Sequence, residues 1–243
     1  MRNSKNLLKM ITLSMLIALG VVISPILRVE GMCPMAHFIN IVCSVFMGPW
    51  YSLLCATLIG IIRMITMGIP PIALTGAIFG AFLSGVFYRA SKGRIIFAVL
   101  GEIIGTGIIG AILSYPVMTF LWGKEGLSWL FYVPSFICGT LIGGSIAYVF
   151  LRKFAANGML AKIQNMLGSK GYMDHSSLLS NTITIAALGG ILFVVFERAT
   201  DIFKLTAPVW DNMSYVSLGV CGAAAVIYYI TKKVETTHAP GNP

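Results

Sequence analysis

Ionisable side chains are scarce within the apolar stretches of this sequence, so the few that fall there are the ones able to do chemistry. Glu102 lies about seven residues into a glycine-rich apolar run, roughly 10 Å from its start at helical rise, and Thr106 follows one turn later on the same face. A charge at the centre of a bilayer costs roughly 2.5 to 3.5 kcal/mol on insertion scales, which makes such a residue a functional candidate by default. Glu102 could be a ligand contact or a polar hub facing a cavity; the alternative is a protonated or helix-bonded carboxyl that only packs. Arg63 stands about three residues from the end of another run. It could pair with a polar substrate, or lift its guanidinium to the headgroups. His37 and Asn40, three residues apart, share a helical face at the start of a third run, at the depth expected for Arg63. These three residues make a shared polar site credible. Trp122, Trp129 and Tyr132 could stack on a flat heteroaromatic ligand, although an ordinary aromatic belt accounts for any one of them equally well.

Other chemistry finds no support. There is no H-E-x-x-H, no G-x-x-x-x-G-K-[ST], no G-x-S-x-G and no metal-ligand cluster, so no metal or other cofactor is expected. Of three histidines, His175 and His238 fall in polar C-terminal stretches and leave little for acid-base work. The five cysteines, Cys33, Cys43, Cys55, Cys138 and Cys221, lack C-x-x-C spacing and read as small buried hydrophobes.

The elements that must carry these residues are membrane helices. Hydrophobic residues make up 57% of the 243 and charged ones 10%, against roughly a quarter in a soluble domain. Long apolar runs without strict alternation satisfy their own backbone hydrogen bonds in lipid as helices. Six spans are expected: about Leu7 to Leu27, Met35 to Met47, Trp50 to Thr66, Ile72 to Tyr88, Ile95 to Met118, and a sixth ending before Arg152-Lys153. Gly48-Pro49 divides the second from the third, since proline suits the first turn of a helix better than its middle. Residues 154–177 are more polar and read as a linker or surface-lying helix; two further spans, about Leu178 to Phe196 and Met213 to Thr231, precede a polar tail. The expected fold is all-α and polytopic, with a substrate-binding module over 1–153, the linker, and a 178–243 segment of unknown role. Small-xxx-small spacing at Gly101/Gly105 and Gly107/Ala111, and at Ser14/Ala18 on the first span, would let helices approach closely.

The net charge of +9 sits in the joints between spans and reads as topology, with no nucleic-acid partner. Twelve Lys and Arg fall on the side of the N-terminus and four on the other, with Arg63 near the end of a span, which predicts both termini in the cytoplasm. Arg2, Lys5 and Lys9 ahead of an apolar run have the form of a signal peptide, but no small-residue cleavage site precedes Pro25, so a retained first span is expected.

Several strings resemble a known family. Cys33-Pro-Met-Ala-His37-Phe-Ile-Asn40, Met47-Gly-Pro-Trp50-Tyr51, Ile62-Arg63, the stretch Gly76 to Gly85, and Gly101-Glu-Ile-Ile-Gly-Thr-Gly-Ile-Ile-Gly110 through Tyr115-Pro116 are similar to the S-components of energy-coupling-factor (ECF) vitamin transporters, and among these to the ThiW group, assigned to the thiazole precursor of thiamine. The resemblance covers about residues 7 to 152. It implies a six-helix module that binds a small heteroaromatic vitamin precursor near the outer face, under the loops after the first, third and fifth helices. It further implies a transmembrane coupling protein and two cytoplasmic ATPase subunits as partners, docked through the small-residue face that Ser14 and Ala18 would form here, with Ser in place of the usual first Ala. The implied substrate is hydroxyethylthiazole, with another thiamine-related vitamin or the pyrimidine precursor as the alternative; a membrane-embedded enzyme or an assembly protein is the alternative of another class. Because the resemblance stops near Arg152, a chain ending at about residue 156 is expected to insert and bind ligand.

Overall fold

The computed structural model describes residues 2–26, 32–172 and 208–238, with five single positions between 178 and 193. Two units result, Met1–Asp174 and His175–Pro243. The first holds α1 (Arg2–Ile23), α2 (Pro34–Met47), α3 (Pro49–Met67), α4 (Ile72–Ala90), α5 (Ile95–Leu121), α6 (Val133–Ala156) and the short α7 (Met159–Met166); the second holds α8 (Pro208–His238). Among the described residues six helices are long and apolar enough to cross a membrane, namely α1, α3, α4, α5, α6 and the Tyr215–Val234 part of α8. The protein is therefore an all-α polytopic membrane protein. The expected span over 178–196 falls largely outside the described residues.

Helix α2 is the axis of the first unit. Twelve of its 14 residues are buried, so it has no face left for lipid. At about 20 Å it is also shorter than the roughly 30 Å hydrocarbon core. Its Ile39, Ile41, Cys43 and Val45 pack with Cys55 and Ile59 of α3, Val99 of α5, and Ala147 and Leu151 of α6. Between helices, hydroxyls pair: Ser44 with Ser84 at 2.7 Å, and Thr75 with Ser114 at 2.7 Å. Such bonds average only about 0.6 kcal/mol in membrane proteins, so close backbone packing must carry most of the association.

That packing is close between α4 and α5. A Cβ added to Gly101, Gly105 or Gly110 would lie 2.5 Å from the Leu83 carbonyl oxygen, 2.5 Å from Gly80 Cα and 2.6 Å from the Gly76 carbonyl oxygen respectively. Gly105 and Gly110 are five residues apart, yet meet Gly80 and Gly76, which are four apart. Residues Ile103–Gly110 are π-helical, and their i to i+5 hydrogen bonding stacks positions five apart on one face. A second π-helical stretch, Val117–Leu121, follows Pro116, which has no N–H for the helical ladder.

At the turn from α2 to α3, Gly48 adopts φ +93°, and a Cβ there would stand 1.9 Å from Nη2 of Arg89. Pro49 opens α3, so the Val45 carbonyl has no N–H four residues on. Helix α7 supplies the missing donor. The fully buried Gln164 donates from Nε2 to the Val45 carbonyl at 2.9 Å and to the Tyr88 hydroxyl at 3.0 Å, while Ser169 Oγ donates to the Phe46 carbonyl at 2.6 Å. Leu160 and Leu167, each 2% exposed, join the same core. The segment after α6 thus carries a helix that caps the end of α2, and the structure revises the expected tolerance to truncation. A chain ending at residue 172 retains this cap, whereas one ending at 156 exposes this core and strips the α2 carbonyls. The shorter chain is expected to lose about 2 to 5 kcal/mol, checked by thermal unfolding in detergent.

Candidate functional site

The site is built at the other end of α2. His37 and Asn40 lie on one face of its first two turns and meet Glu102 of α5 across the helix interface. His37 Nδ1 is 2.9 Å from Glu102 Oε1, Asn40 Nδ2 donates to the same oxygen at 3.0 Å, and Thr106 Oγ1, one turn along α5, donates at 3.1 Å. Asn40 and Thr106 donate to this one oxygen, and a hydrogen on Nδ1 would make the imidazole a third donor. All four residues are buried, Glu102 completely. Asn40 is held from behind as well, since Ser52 Oγ of α3 donates to its carbonyl at 2.8 Å.

Room for the carboxylate comes from α4. At Gly80 a Cβ would fall 2.0 Å from Thr106 Oγ1 and 2.8 Å from Glu102 Oε2, so glycine there admits the pair. Oε2 itself is buried with no hydrogen-bond partner.

Beside this network lies a cavity of about 100 Å³. Its polar wall is His37, Arg63 and Thr106; the rest is mainly apolar, including Met32, Ile69, Ile72 and Phe136. The contributing segments are the start of α2, the end of α3, the start of α4, the middle of α5 and the start of α6, hence one end of the bundle. Arg63 is 4% exposed, and its Nε has no hydrogen-bond partner. Glu102 does not line the cavity but ties down two residues that do, and so acts on it through them.

The structure therefore brings His37, Asn40, Glu102 and Thr106 into one network and sets Arg63 on the wall of the adjoining cavity. Trp122 is not brought in: it follows the end of α5, is 53% exposed and is absent from the cavity lining. Trp129 stacks on Tyr115 at 4.5 Å, and Tyr132 packs against Phe136. Two residues not proposed as site residues from the sequence join the site. Phe136 covers Gly76, and Cys33 donates from Sγ to the Ser24 carbonyl at 3.0 Å, fastening the start of α2 to the end of α1. An aromatic and a cysteine at span ends carry no signal above belt and packing. Ser14 and Ala18 are exposed on α1, whose Leu13, Leu16 and Gly20 face the bundle.

A model of the thiamine-precursor transporter protein (ThiW) family matches residues 10–157. The chain belongs to this family. No curated protein and no solved structure matches it. The ThiW match runs from the first turns of α1 to the end of α6, so every residue of the polar network and of the cavity lies within it. Gln164 and Ser169, which cap α2, lie beyond it.

Proposed function

We propose that this ThiW-family protein is the ligand-capturing subunit of an ECF-type importer for hydroxyethylthiazole, the thiazole precursor of thiamine, and that it performs no chemistry on its cargo. The cavity walled by His37, Arg63 and Thr106 carries this reading. A small heteroaromatic alcohol needs an apolar slot and a few fixed polar groups, and the cavity offers both. Its 100 Å³ gives room for a small ring bearing an alcohol. The pyrimidine precursor, also a one-ring alcohol, is the second reading on the same ground of size.

In this scheme the cavity end faces the cell exterior and both termini face the cytoplasm of a bacterial cell, in line with the distribution of basic residues. Transport energy comes from two ATPase subunits acting through a transmembrane coupling protein, in keeping with a sequence that has no nucleotide-binding motif of its own. The exposed Ser14 and Ala18 offer a low-relief face on α1 for that coupling protein. Replacing both with Leu is expected to abolish uptake and pull-down of the coupling protein while leaving ligand affinity within about twofold of the parent. Equal loss of ligand binding would make the face internal packing.

The site itself is tested by calorimetric titration of the purified protein with hydroxyethylthiazole. His37→Ala and Asn40→Ala each remove one of the three side chains gathered on Glu102 Oε1 beside the cavity, and each is expected to cost on the order of 1 to 3 kcal/mol of binding, or roughly a 5- to 150-fold loss in affinity. Parent-like binding by both variants would remove either the pocket or the substrate from the proposal.

A further inference from the structure

Arg63 is the cavity's unmatched charge. The residue is 4% exposed, lines the cavity, and carries an Nε without a hydrogen-bond partner. Among the described residues no carboxylate forms an ion pair with it; Glu102 is paired with His37 instead. That carboxylate stands behind His37 and Thr106, with Oε1 bonded to three side chains and Oε2 turned toward Gly80. A ligand in the cavity therefore adjoins the arginine side chain, while the Glu102 carboxyl stands behind other side chains. A buried guanidinium is a pure donor with five N–H groups and does not lose its proton. It rewards an acceptor atom on the ligand and opposes a positive charge.

We infer that Arg63 is a charge filter: the site takes a neutral, acceptor-bearing ring and rejects the cationic, N-alkylated form of the same ring. The inference rests on the thiazole reading above and deepens it, because N-alkylation is the chemical difference between the free thiazole alcohol and the thiazolium half of thiamine. Exclusion of the finished vitamin then follows from the sign of the cavity wall.

The test compares three ligands with the full-length protein in detergent: hydroxyethylthiazole, its N-methyl thiazolium salt, and the thiophene alcohol, which lacks the ring nitrogen but carries no charge. With the parent, the thiazolium is expected to bind about 100-fold or more weaker than the neutral thiazole, since like charges brought together in a buried site are strongly opposed. The thiophene alcohol, which loses an acceptor only, should fall by about tenfold or less. In Arg63→Gln the ratio between thiazole and thiazolium should shrink at least about tenfold. Taking ratios within each variant separates selectivity from any general loss of binding, and the parent's ratio decides even if Arg63→Gln does not fold. Thiazolium binding within about threefold of thiazole in the parent overturns the inference, as does an unchanged ratio in Arg63→Gln. Failure of the parent to bind neutral thiazole at all overturns the thiazole reading itself, and the charge filter with it.

Discussion

Glu102→Ala should abolish measurable ligand binding and lower the melting temperature of the detergent-solubilised protein sharply. The carboxylate bonds to His37, Asn40 and Thr106, which come from two different helices and are all less than one-tenth exposed. Truncation leaves three buried polar groups without this partner, each worth about 1 to 3 kcal/mol when unpaired, and leaves a void beside Gly80. The costs overlap because the groups share one partner, so about 3 to 5 kcal/mol is the expected total, in line with breaking a buried ion pair. Glu102→Gln separates position from charge. The amide oxygen still accepts from neighbours of the same shape, so most of the stability should return, while His37 loses its anionic partner and affinity stays reduced. Thermal unfolding and titration calorimetry on both variants read these effects. An Ala variant with parental stability and affinity would show that the network is incidental.

Gly105→Ala should be nearly as damaging despite adding a single methyl group. The new Cβ would lie 2.5 Å from both Gly80 Cα and the Phe79 carbonyl oxygen, which are backbone atoms that no rotamer change can move. Helices α4 and α5 must separate, and because Gly80 also makes room for Glu102 and Thr106, the polar network opens with them. Overpacking of this kind costs typically about 1 to 3 kcal/mol, and more where backbone must shift. Gly107→Ala is the matched control. Its Cβ would meet Ile137 Cγ1 at 2.9 Å and Ile137 Cα at 3.4 Å, so one neighbouring side chain must shift but no backbone atom stands within 3 Å. Expression and melting temperature should fall further for the first than for the second. Equal tolerance would mean that the glycine seam does not hold the two helices at this distance.

Much of this architecture is legible in the sequence because lipid imposes a simple rule on it. Apolar run length and the Gly48-Pro49 break place α1 to α6 within a few residues, and the scarcity of polar side chains in those runs isolates His37, Asn40, Arg63, Glu102 and Thr106. The i, i+3 and i, i+4 spacings put His37 with Asn40, and Glu102 with Thr106, on common faces. That the two faces meet is a tertiary fact, as is the placing of Glu102 behind the cavity. Three features escape the pattern for physical reasons. The π-helical stretch changes which glycines share a face, so the Gly105 and Gly110 pair is invisible to a count by fours. Gln164 looks like an ordinary polar residue on a surface helix, and its role depends on the donor that Pro49, more than a hundred residues earlier, cannot provide. Trp122 lies near the end of α5 as expected, but the chain after Leu121 does not turn it toward the cavity. Residues past 172 are read by composition and by α8 alone, since the span expected before it lies largely outside the described positions.

Native mass spectrometry of the detergent-purified protein, offered hydroxyethylthiazole, the pyrimidine precursor and thiamine in equal amounts, tests the central claim most directly. One equivalent of hydroxyethylthiazole bound to the parent, displaced by neither competitor and absent from Glu102→Ala, is the predicted result. Preferential binding of thiamine, or no binding of any of the three by a folded parent, would contradict the account of a small cavity shaped for the precursor.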